Sequence, residues 1–264
     1  MYEQSQKVGT YFCEVHKMKH ITLKFTDGTT MELENEIRPL MFKEKLQAEG
    51  KKLLAVKVNN EIASLDSFIN INATVEPIYA DSKEGASIYR RSLCFLLGCA
   101  ANRLFPGVRL LVGHSLGYGY YYTLETGSPL TKQQIDSLKE EMLRLVKEDK
   151  IINTDYISYE EACALFERLG LTETRKQLNY RCPAKIQINS LEDFSDLYFA
   201  PLVGTTGLLD VFDLMQYQDG FLLRFPTHTD STKLTEFEDQ PKLFNIYKKY
   251  KEWGKRLNVT SAAS

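Results

Sequence analysis

Ile21-Thr-Leu-Lys-Phe-Thr26 alternates apolar and polar residues, as a half-buried strand does, and this alternation is the first sign of a sheet. Asp27-Gly28 provides a hairpin turn, after which residues 30–33 return as a second strand. Residues 40–47 have the pattern of a short helix, which Gly50 ends. Together these elements predict a small sheet that begins with a hairpin and has one helix beside it.

Two further strand patterns complete this first unit. Residues 53–58 have a strand pattern, Asn59-Asn60 provides the turn after it, and residues 74–78 close the unit. Hairpin, helix and further strands in this order form a β-grasp-like layout, for which we predict a domain over residues 20–80. Residues 1–19 are then an N-terminal extension, and residues 81–85 are the linker to the next domain.

The rest of the chain mixes helical and strand patterns. Residues 87–104 carry one apolar side, and Thr131-Lys-Gln-Gln134 and Ser158-Tyr-Glu-Glu161 are capping boxes that predict the starts of two more helices. Strand patterns occupy residues 108–112, 120–124, 185–188, 208–215 and 220–225. We therefore predict a larger domain of mixed helices and strands over residues 81–229.

The last helical pattern lies within residues 230–264, which we predict to be a connector helix and a polar tail. The pattern places one apolar side along the helix, formed by Leu243, Tyr247, Tyr250, Trp253 and Leu257. The predicted fold class is α+β, with two domains followed by this connector.

Composition excludes several classes of protein. The chain has 264 residues, of which 43% are hydrophobic, and its formal net charge of −2 gives no global attraction to nucleic acid or to anionic membranes. No apolar run reaches the ~18 residues that a membrane helix needs. Five cysteines without a C-x-x-C pair indicate free thiols, so we expect a cytoplasmic protein. Basic pairs such as Lys248-Lys249 and Lys255-Arg256 are interpreted as solvated helix faces.

Gly113-His-Ser115-Leu-Gly117 matches the G-x-S-x-G pattern, in which a sharp turn from strand to helix exposes a nucleophilic serine. Here residues 118–122 continue as strand-forming tyrosines, so the required helix is missing. His228 is the only histidine downstream. We therefore favour a glycine-rich hairpin turn over the alternative, a serine hydrolase, and we predict no catalytic residue in this chain.

Cys13, His16 and His20 have a spacing similar to that of zinc ligands, but no fourth ligand is evident and the segment precedes the first strand. We favour a polar extension over a zinc site and predict no bound metal. The chain also lacks the G-x-x-x-x-G-K-[ST] pattern of a phosphate-binding loop, so we expect no ATP binding by this route.

Several motifs, taken in order, resemble threonyl-tRNA synthetases. Residues 20–80, with Val56-Lys-Val-Asn59, resemble the TGS domain, the β-grasp module of those enzymes. Glu84-Gly-Ala-Ser-Ile-Tyr-Arg-Arg-Ser92 resembles the start of their editing domain. Further motifs follow in the same order at Leu96-Leu97-Gly98, Arg103-Leu-Phe-Pro106, Gly119-Tyr-Tyr-Tyr122 and Pro129-Leu-Thr131. The resemblance covers roughly residues 20–226 and implies a TGS domain followed by an editing-like domain.

The resemblance also implies where the editing residues of the family fall in this chain. The H-x-x-x-H pair of the family falls on Arg91 and Phe95, and its Cys-x-x-x-His pair falls on Tyr198 and Leu202. Imidazole and thiolate offer lone pairs near neutral pH, whereas Phe and Leu offer none and Arg only donates. We therefore expect that hydrolytic editing is lost.

Three more residues, Tyr122, Lys176 and Asp196, fall where the resemblance places residues that line the editing pocket. One interpretation is an inherited scaffold, which we favour. The other is a pocket that has been reused for a different small molecule or nucleotide.

A TGS and editing-like pair altered in this way resembles the N-terminal half of bacterial proteins that are fused to a uridine kinase/phosphoribulokinase-type P-loop domain. That resemblance implies an accessory or regulatory module of a nucleoside kinase. ATP and Mg²⁺ would serve only a downstream kinase domain, the expected intramolecular partner. One alternative is an RNA- or nucleotide-binding adaptor acting through the TGS domain, although the acidic balance of the chain opposes RNA binding. Another is a deacylase of mischarged tRNA.

Overall fold

The computed structural model describes residues 20–180 and 185–257, and its mixed helices and sheets confirm the predicted α+β class. The first sheet has the strand order β2-β1-β5-β3-β4. Its strands are β1 (Ile21–Phe25), β2 (Thr30–Leu33), β3 (Leu53–Val58), β4 (Glu61–Ser64) and β5 (Ala73–Tyr79). β1 pairs with β2 in an antiparallel hairpin and with β5 in parallel.

The predicted helix beside this sheet is short and divided. A 3₁₀ turn, Pro39–Phe42, leads directly into α1 (Lys43–Leu46). Pro39 suits the first position of this turn because the N–H that it lacks would have no partner there. Phe42 and Leu46 are buried and belong to the same apolar cluster as the inward-facing residues of the sheet.

The next helix, α2 (Lys83–Leu104), begins four residues before the predicted position. Ser82 caps it, since the Ser82 hydroxyl accepts a hydrogen bond of 2.9 Å from the backbone N–H of Gly85. A Cβ atom on Gly85 would lie 1.9 Å from the carbonyl oxygen of Tyr79. Only glycine therefore permits this close approach, and the predicted linker is in fact a tight turn into the first turn of α2.

Two more sheets follow, with the strand orders β10-β9-β8 and β11-β12-β7-β6 and with antiparallel neighbours throughout. Their strands are β6 (Leu110–Ser115), β7 (Gly119–Leu124), β8 (Asn153–Ile157), β9 (Ile186–Leu191), β10 (Phe194–Leu197), β11 (Asp213–Tyr217) and β12 (Gly220–Arg224). The remaining helices are α3 (Lys132–Lys147), α4 (Tyr159–Arg168), α5 (Thr172–Gln177) and α6 (Pro241–Arg256).

Both predicted capping boxes are confirmed. Thr131 and Gln134 exchange their side-chain and backbone hydrogen bonds at the start of α3, and Ser158 and Glu161 do so at the start of α4. The strand predicted over residues 208–215 starts later than predicted, because a 3₁₀ turn occupies Thr206–Leu208 and β11 begins only at Asp213.

α2 is the central element of the structure. The largest apolar cluster joins Leu54 and Ile78 of the first sheet to α2, to α3 and to Phe221 of the four-stranded sheet. The opposite face of the four-stranded sheet carries a second cluster, in which Phe244 of α6 is buried. α2 thus lies between two sheets, and its side chains meet residues that are distant in sequence. The predicted domain boundaries after residues 80 and 229 stay predictions.

None of the helices in residues 20–180 and 185–257 combines the length and the apolar character that crossing a membrane requires.

Candidate functional site

Arg91 and Phe95, to which the resemblance assigns the first editing pair, lie one turn apart on α2 and therefore project from the same side of the helix. Arg91 Nη1 donates a hydrogen bond of 2.7 Å to the carbonyl oxygen of Pro201, in the segment that follows β10. Burial lowers the pKa of Arg91 from its ordinary value, but a guanidinium still carries its charge at neutral pH. Arg91 thus connects α2 to the backbone of the segment that follows β10.

Phe95 is fully buried and contacts Tyr198, to which the resemblance assigns the cysteine of the second editing pair. Its ring lies 5.7 Å from that of Tyr198 in an edge-to-face arrangement and 5.3 Å from that of Phe194. Leu202, at the last of the four positions, has a relative exposure of 1%. Phe95 and Leu202 therefore belong to a packed interior, while Arg91 and Tyr198 are partly exposed at its edge.

Tyr122 lies in this interior and lines no open surface. Its relative exposure is 4%, its ring stacks on Phe221 at 5.9 Å, and its side chain shares a hydrogen bond with the thiol of Cys94. Burial raises the pKa of both Tyr122 and Cys94, so both groups are neutral at physiological pH. This arrangement favours the scaffold interpretation of Tyr122.

Asp196, on β10, is half-buried beside Tyr198. Its Oδ1 accepts hydrogen bonds from the backbone N–H of Leu197 at 2.8 Å and from the hydroxyl of Thr174 at 3.3 Å. Burial raises the pKa of Asp196, and these two hydrogen bonds oppose the shift. Thr174 belongs to α5, as does the exposed Lys176, so the hydrogen bond between Thr174 and Asp196 connects β10 to the helix that carries Lys176.

The cluster offers little acid–base chemistry. Burial raises the pKa of Tyr198 well above its ordinary value, and Cys94 is held as a thiol. Within the described part of this cluster, Asp196 is the carboxylic acid, and burial raises its pKa. No imidazole or thiolate takes part, so the chemistry of the site rests on one carboxylate.

Two residues beside Arg91 on α2 contact distant parts of the chain. The hydroxyl of Ser92, which is fully buried, donates to the carbonyl of Ile88 at 2.8 Å and accepts from the backbone N–H of Val203 at 2.9 Å. Arg90 lies over the ring of Phe225 at 5.5 Å, and its Nε is buried without a hydrogen-bond partner among the described residues. A serine in the middle of a helical pattern gives no sign of a contact 111 residues away.

The glycine-rich motif forms the predicted hairpin. β6 and β7 pair in antiparallel fashion with Ser115 opposite Tyr120, and Gly117 adopts a positive φ of 56° in the turn. Ser115 is exposed on this hairpin, and no helix follows it. The structure thus lacks the strand-to-helix turn that the hydrolase alternative needs, while the inertness of Ser115 stays a prediction.

The predicted absence of metal stays a prediction as well. Cys13 and His16 lie outside the described residues, and His20 is exposed immediately before β1. Across residues 20–180 and 185–257, no three His, Cys, Asp or Glu side chains are grouped so that they could hold a metal ion.

Two surface clefts lie away from this cluster. One, of about 520 Å³, lies between α1 and the 3₁₀ turn at Leu208 and is lined by lysines that include Lys43 and Lys52. The other, of about 380 Å³, lies on α6 between Tyr250, Trp253 and Lys249. Neither cleft contains Lys176 or Asp196.

The chain has an α+β fold in which a β-grasp-like sheet precedes α2 and the two further sheets. This fold agrees with the class of protein that the motifs indicated, a TGS-like region followed by an editing-like region. No protein-family profile matches the chain. Curated relatives do match, and several of them are threonine–tRNA ligases. The chain is therefore similar to part of the threonine–tRNA ligases.

Three of these relatives give the extent of the similarity. The ligase of Oleidesulfovibrio alaskensis is 26% identical over 235 residues, which are 87% of the chain and 36% of the relative. That of Desulforamulus reducens is 33% identical over 172 residues, 64% of the chain and 27% of the relative. That of Streptococcus equi subsp. zooepidemicus is 28% identical over 197 residues, which are 74% of the chain and 30% of the relative. The chain spans about a third of the length of these relatives.

These relatives correct one prediction. The chain was expected to be an accessory module of a uridine kinase-like protein, and that prediction is wrong, because the relatives are consistently named as threonine–tRNA ligases. Nothing in the similarity supports a kinase or phosphoribulokinase parent. The alternatives that involve RNA and tRNA agree better with the relatives.

Proposed function

We propose that this chain is a tRNA-binding module related to the editing region of threonine–tRNA ligases, in which the hydrolytic centre has become a structural core. The observation that carries the proposal is the direct contact of Phe95 with Tyr198, two positions to which the resemblance assigns editing His and Cys residues. The names of the relatives support tRNA as the ligand, since those enzymes join threonine to tRNA.

Hydrolysis of an aminoacyl ester needs an activated water beside the ester and room for both. General acid–base assistance contributes about 10²–10⁴-fold to such reactions. In this cluster the rings of Phe95 and Phe194 and the side chain of Leu202 are buried, and Arg91 already binds a backbone carbonyl. Binding of tRNA would then use the surface of the chain rather than this interior.

Fluorescence anisotropy with end-labelled tRNA tests the proposal. We expect a dissociation constant below about 10 µM at ~0.1 M salt, with affinity falling as salt is raised, because phosphate contacts release counterions. A DNA duplex of equal charge is the control and should bind at least about tenfold more weakly than tRNA. Failure of tRNA to bind at tens of micromolar, or equal binding of the duplex, would contradict the proposal.

A second candidate function, deacylation of mischarged tRNA, is favoured by one observation. Asp196 is a half-buried carboxylate with a raised pKa, held by Thr174, and it could act as a general base. A deacylase of this kind would lose its activity in the Asp196→Asn variant. The Thr174→Val variant would keep a reduced activity, since it removes a positioning hydrogen bond and leaves the base in place.

A further inference from the structure

The outer side of α6 carries an apolar stripe that the fold does not cover. Ile246, Tyr250, Trp253 and Leu257 recur every three to four residues and therefore lie on one side of the helix. Their relative exposures are 51%, 68%, 60% and 56%. The predicted single apolar side is thus divided, because Leu243 and Tyr247 turn inward and pack against the sheet instead.

The inner side of α6 already accounts for its attachment to the sheet. Phe244 is 2% exposed and contacts the rings of Tyr121 and Tyr217 at 5.0 and 5.1 Å, edge to face. The ring of Tyr247 lies 5.9 Å from that of Tyr121. The stripe of Ile246, Tyr250, Trp253 and Leu257 is therefore not needed to hold α6 in place.

A row of cations runs beside the stripe. Lys242, Lys249 and Arg256 are spaced seven residues apart, so they lie on one line parallel to the helix axis over about 21 Å. All three are exposed and, across the part of the chain that the structure describes, none of them forms an ion pair with an acid. Lys248 differs, because it pairs with Asp219 at 3.2 Å on the sheet side of the helix.

Positive charge is concentrated on this helix. Of its 16 residues, six are Lys or Arg and only Glu252 is acidic, whereas the whole chain has a net charge of −2. A second copy of the chain would bring two such rows together, and the like charges would repel. A polyanion is complementary to the row, and the flat rings of Tyr250 and Trp253 beside it are suited to stacking on unpaired bases.

We propose that the outer side of α6 binds a single-stranded segment of RNA, with Lys242, Lys249 and Arg256 contacting phosphates and Tyr250 and Trp253 stacking on bases. This inference rests on the proposed function in one respect, the choice of RNA as the polyanion. Under this inference, Lys249 and Arg256 bind RNA, whereas the basic pairs that contain them are interpreted from sequence alone as solvated helix faces. The inference also places RNA binding on α6, whereas the adaptor alternative places it on the TGS-like first sheet.

Trp253 provides a direct readout, because it is the only tryptophan of the chain. Titration of the full chain with an unlabelled 12-nucleotide single-stranded RNA should quench its fluorescence. In anisotropy measurements with the labelled strand, Trp253→Ala should weaken binding by about tenfold, and Trp253→Phe should recover part of the loss. Lys249→Glu/Arg256→Glu should weaken binding further and reduce the slope of log K against log salt by about 1.4.

The control variant, Lys83→Glu/Lys132→Glu, makes the same change of charge at exposed positions on α2 and α3 and should bind RNA almost as the wild type does. If tRNA and the single strand bind the wild type but the α6 variants bind them equally well, the inference is overturned while the proposed function stands. If no RNA binds, both are overturned. Dimerisation that Trp253→Ala abolishes, or quenching by anionic vesicles but not by RNA, would also overturn the inference by assigning the surface to another occupant.

Discussion

At the scale of single residues, Arg91 and Phe95 stabilise the same interior in different ways. The guanidinium of Arg91 satisfies the carbonyl of Pro201, which would otherwise lose a hydrogen-bond partner. Phe95 fills space between α2 and β10, where its ring meets those of Phe194 and Tyr198. Because both residues are part of the packing, substitutions at these positions should lower the free energy of unfolding and should not create hydrolytic activity.

Phe95→Ala should therefore lower the free energy of unfolding by about 3–5 kcal/mol, because it removes a fully buried ring and leaves a cavity. Urea unfolding followed by circular dichroism measures the loss. Phe68→Ala is the matched control, since Phe68 is 55% exposed, and it should cost less than about 1 kcal/mol. Equal losses for the two variants would show that the ring of Phe95 is not in a packed interior.

Asp196 predicts a dependence of stability on pH. Burial raises its pKa in the folded protein above the ordinary carboxyl value of 3.8, so the folded state binds a proton more tightly than the unfolded state does. The contribution of Asp196 to stability is thus fully present below pH 3.8 and is lost as pH rises through the raised pKa. The free energy of unfolding of the wild type, relative to that of Asp196→Asn, should fall as pH rises from 3.8 through the raised pKa of Asp196. A difference that rises over this interval would contradict the account.

At the scale of elements, the attachment of α6 depends on a glycine in a strand. A Cβ atom on Gly113 would lie 2.7 Å from the hydroxyl oxygen of Tyr247 and 2.8 Å from a ring carbon of Tyr121. Because Gly113 has no side chain, the ring of Tyr247 from α6 can pack directly against the backbone of β6. The same motif that resembles a nucleophile elbow thus has a packing role in this fold.

Gly113→Ala should loosen α6 from the sheet, because the added methyl group competes with Tyr247 for space. Hydrogen–deuterium exchange of residues 241–256 should become faster by about tenfold or more. Gly204→Ala is the control, since a Cβ atom there would meet its nearest neighbours at an ordinary 3.8 Å. Unchanged exchange in Gly113→Ala would mean that α6 does not depend on this contact.

Elements with local signals were predictable from the sequence, and elements that depend on distant partners were not. The capping boxes at Thr131 and Ser158 located the starts of α3 and α4 because their hydrogen bonds involve residues only three apart. β8 was missed because its partner is distant: it pairs with β9, where Tyr156 lies opposite Gln187. β10 and α5 were missed because they are only four and six residues long, although β10 forms a local hairpin with β9.

At the scale of the whole molecule, the ordered motifs assigned residues to a candidate site, while the contacts among those residues required the structure. The resemblance assigned Phe95 to the first editing pair and Tyr198 to the second, and their rings are in contact. The bond from Arg91 to Pro201 joins residues 110 positions apart, and that from Ser92 to Val203 joins residues 111 apart. Such contacts arise from the packing of α2 against the segment after β10, and no local pattern reports them.

The central claim is that the chain binds tRNA but does not hydrolyse the aminoacyl ester. The hydrolysis rate of protein-bound seryl-tRNA tests this claim most directly. The wild-type chain should be in excess, with complete binding of the tRNA verified by anisotropy in the same buffer. The account predicts the rate of ester hydrolysis found in buffer alone, because Phe95 and Leu202 are buried in the packed interior and Phe95 contacts Tyr198, which leaves Asp196 without an imidazole or thiolate partner among the described residues of this cluster. A rate about 10²-fold or more above buffer that disappears in Asp196→Asn would contradict it and establish the deacylase instead.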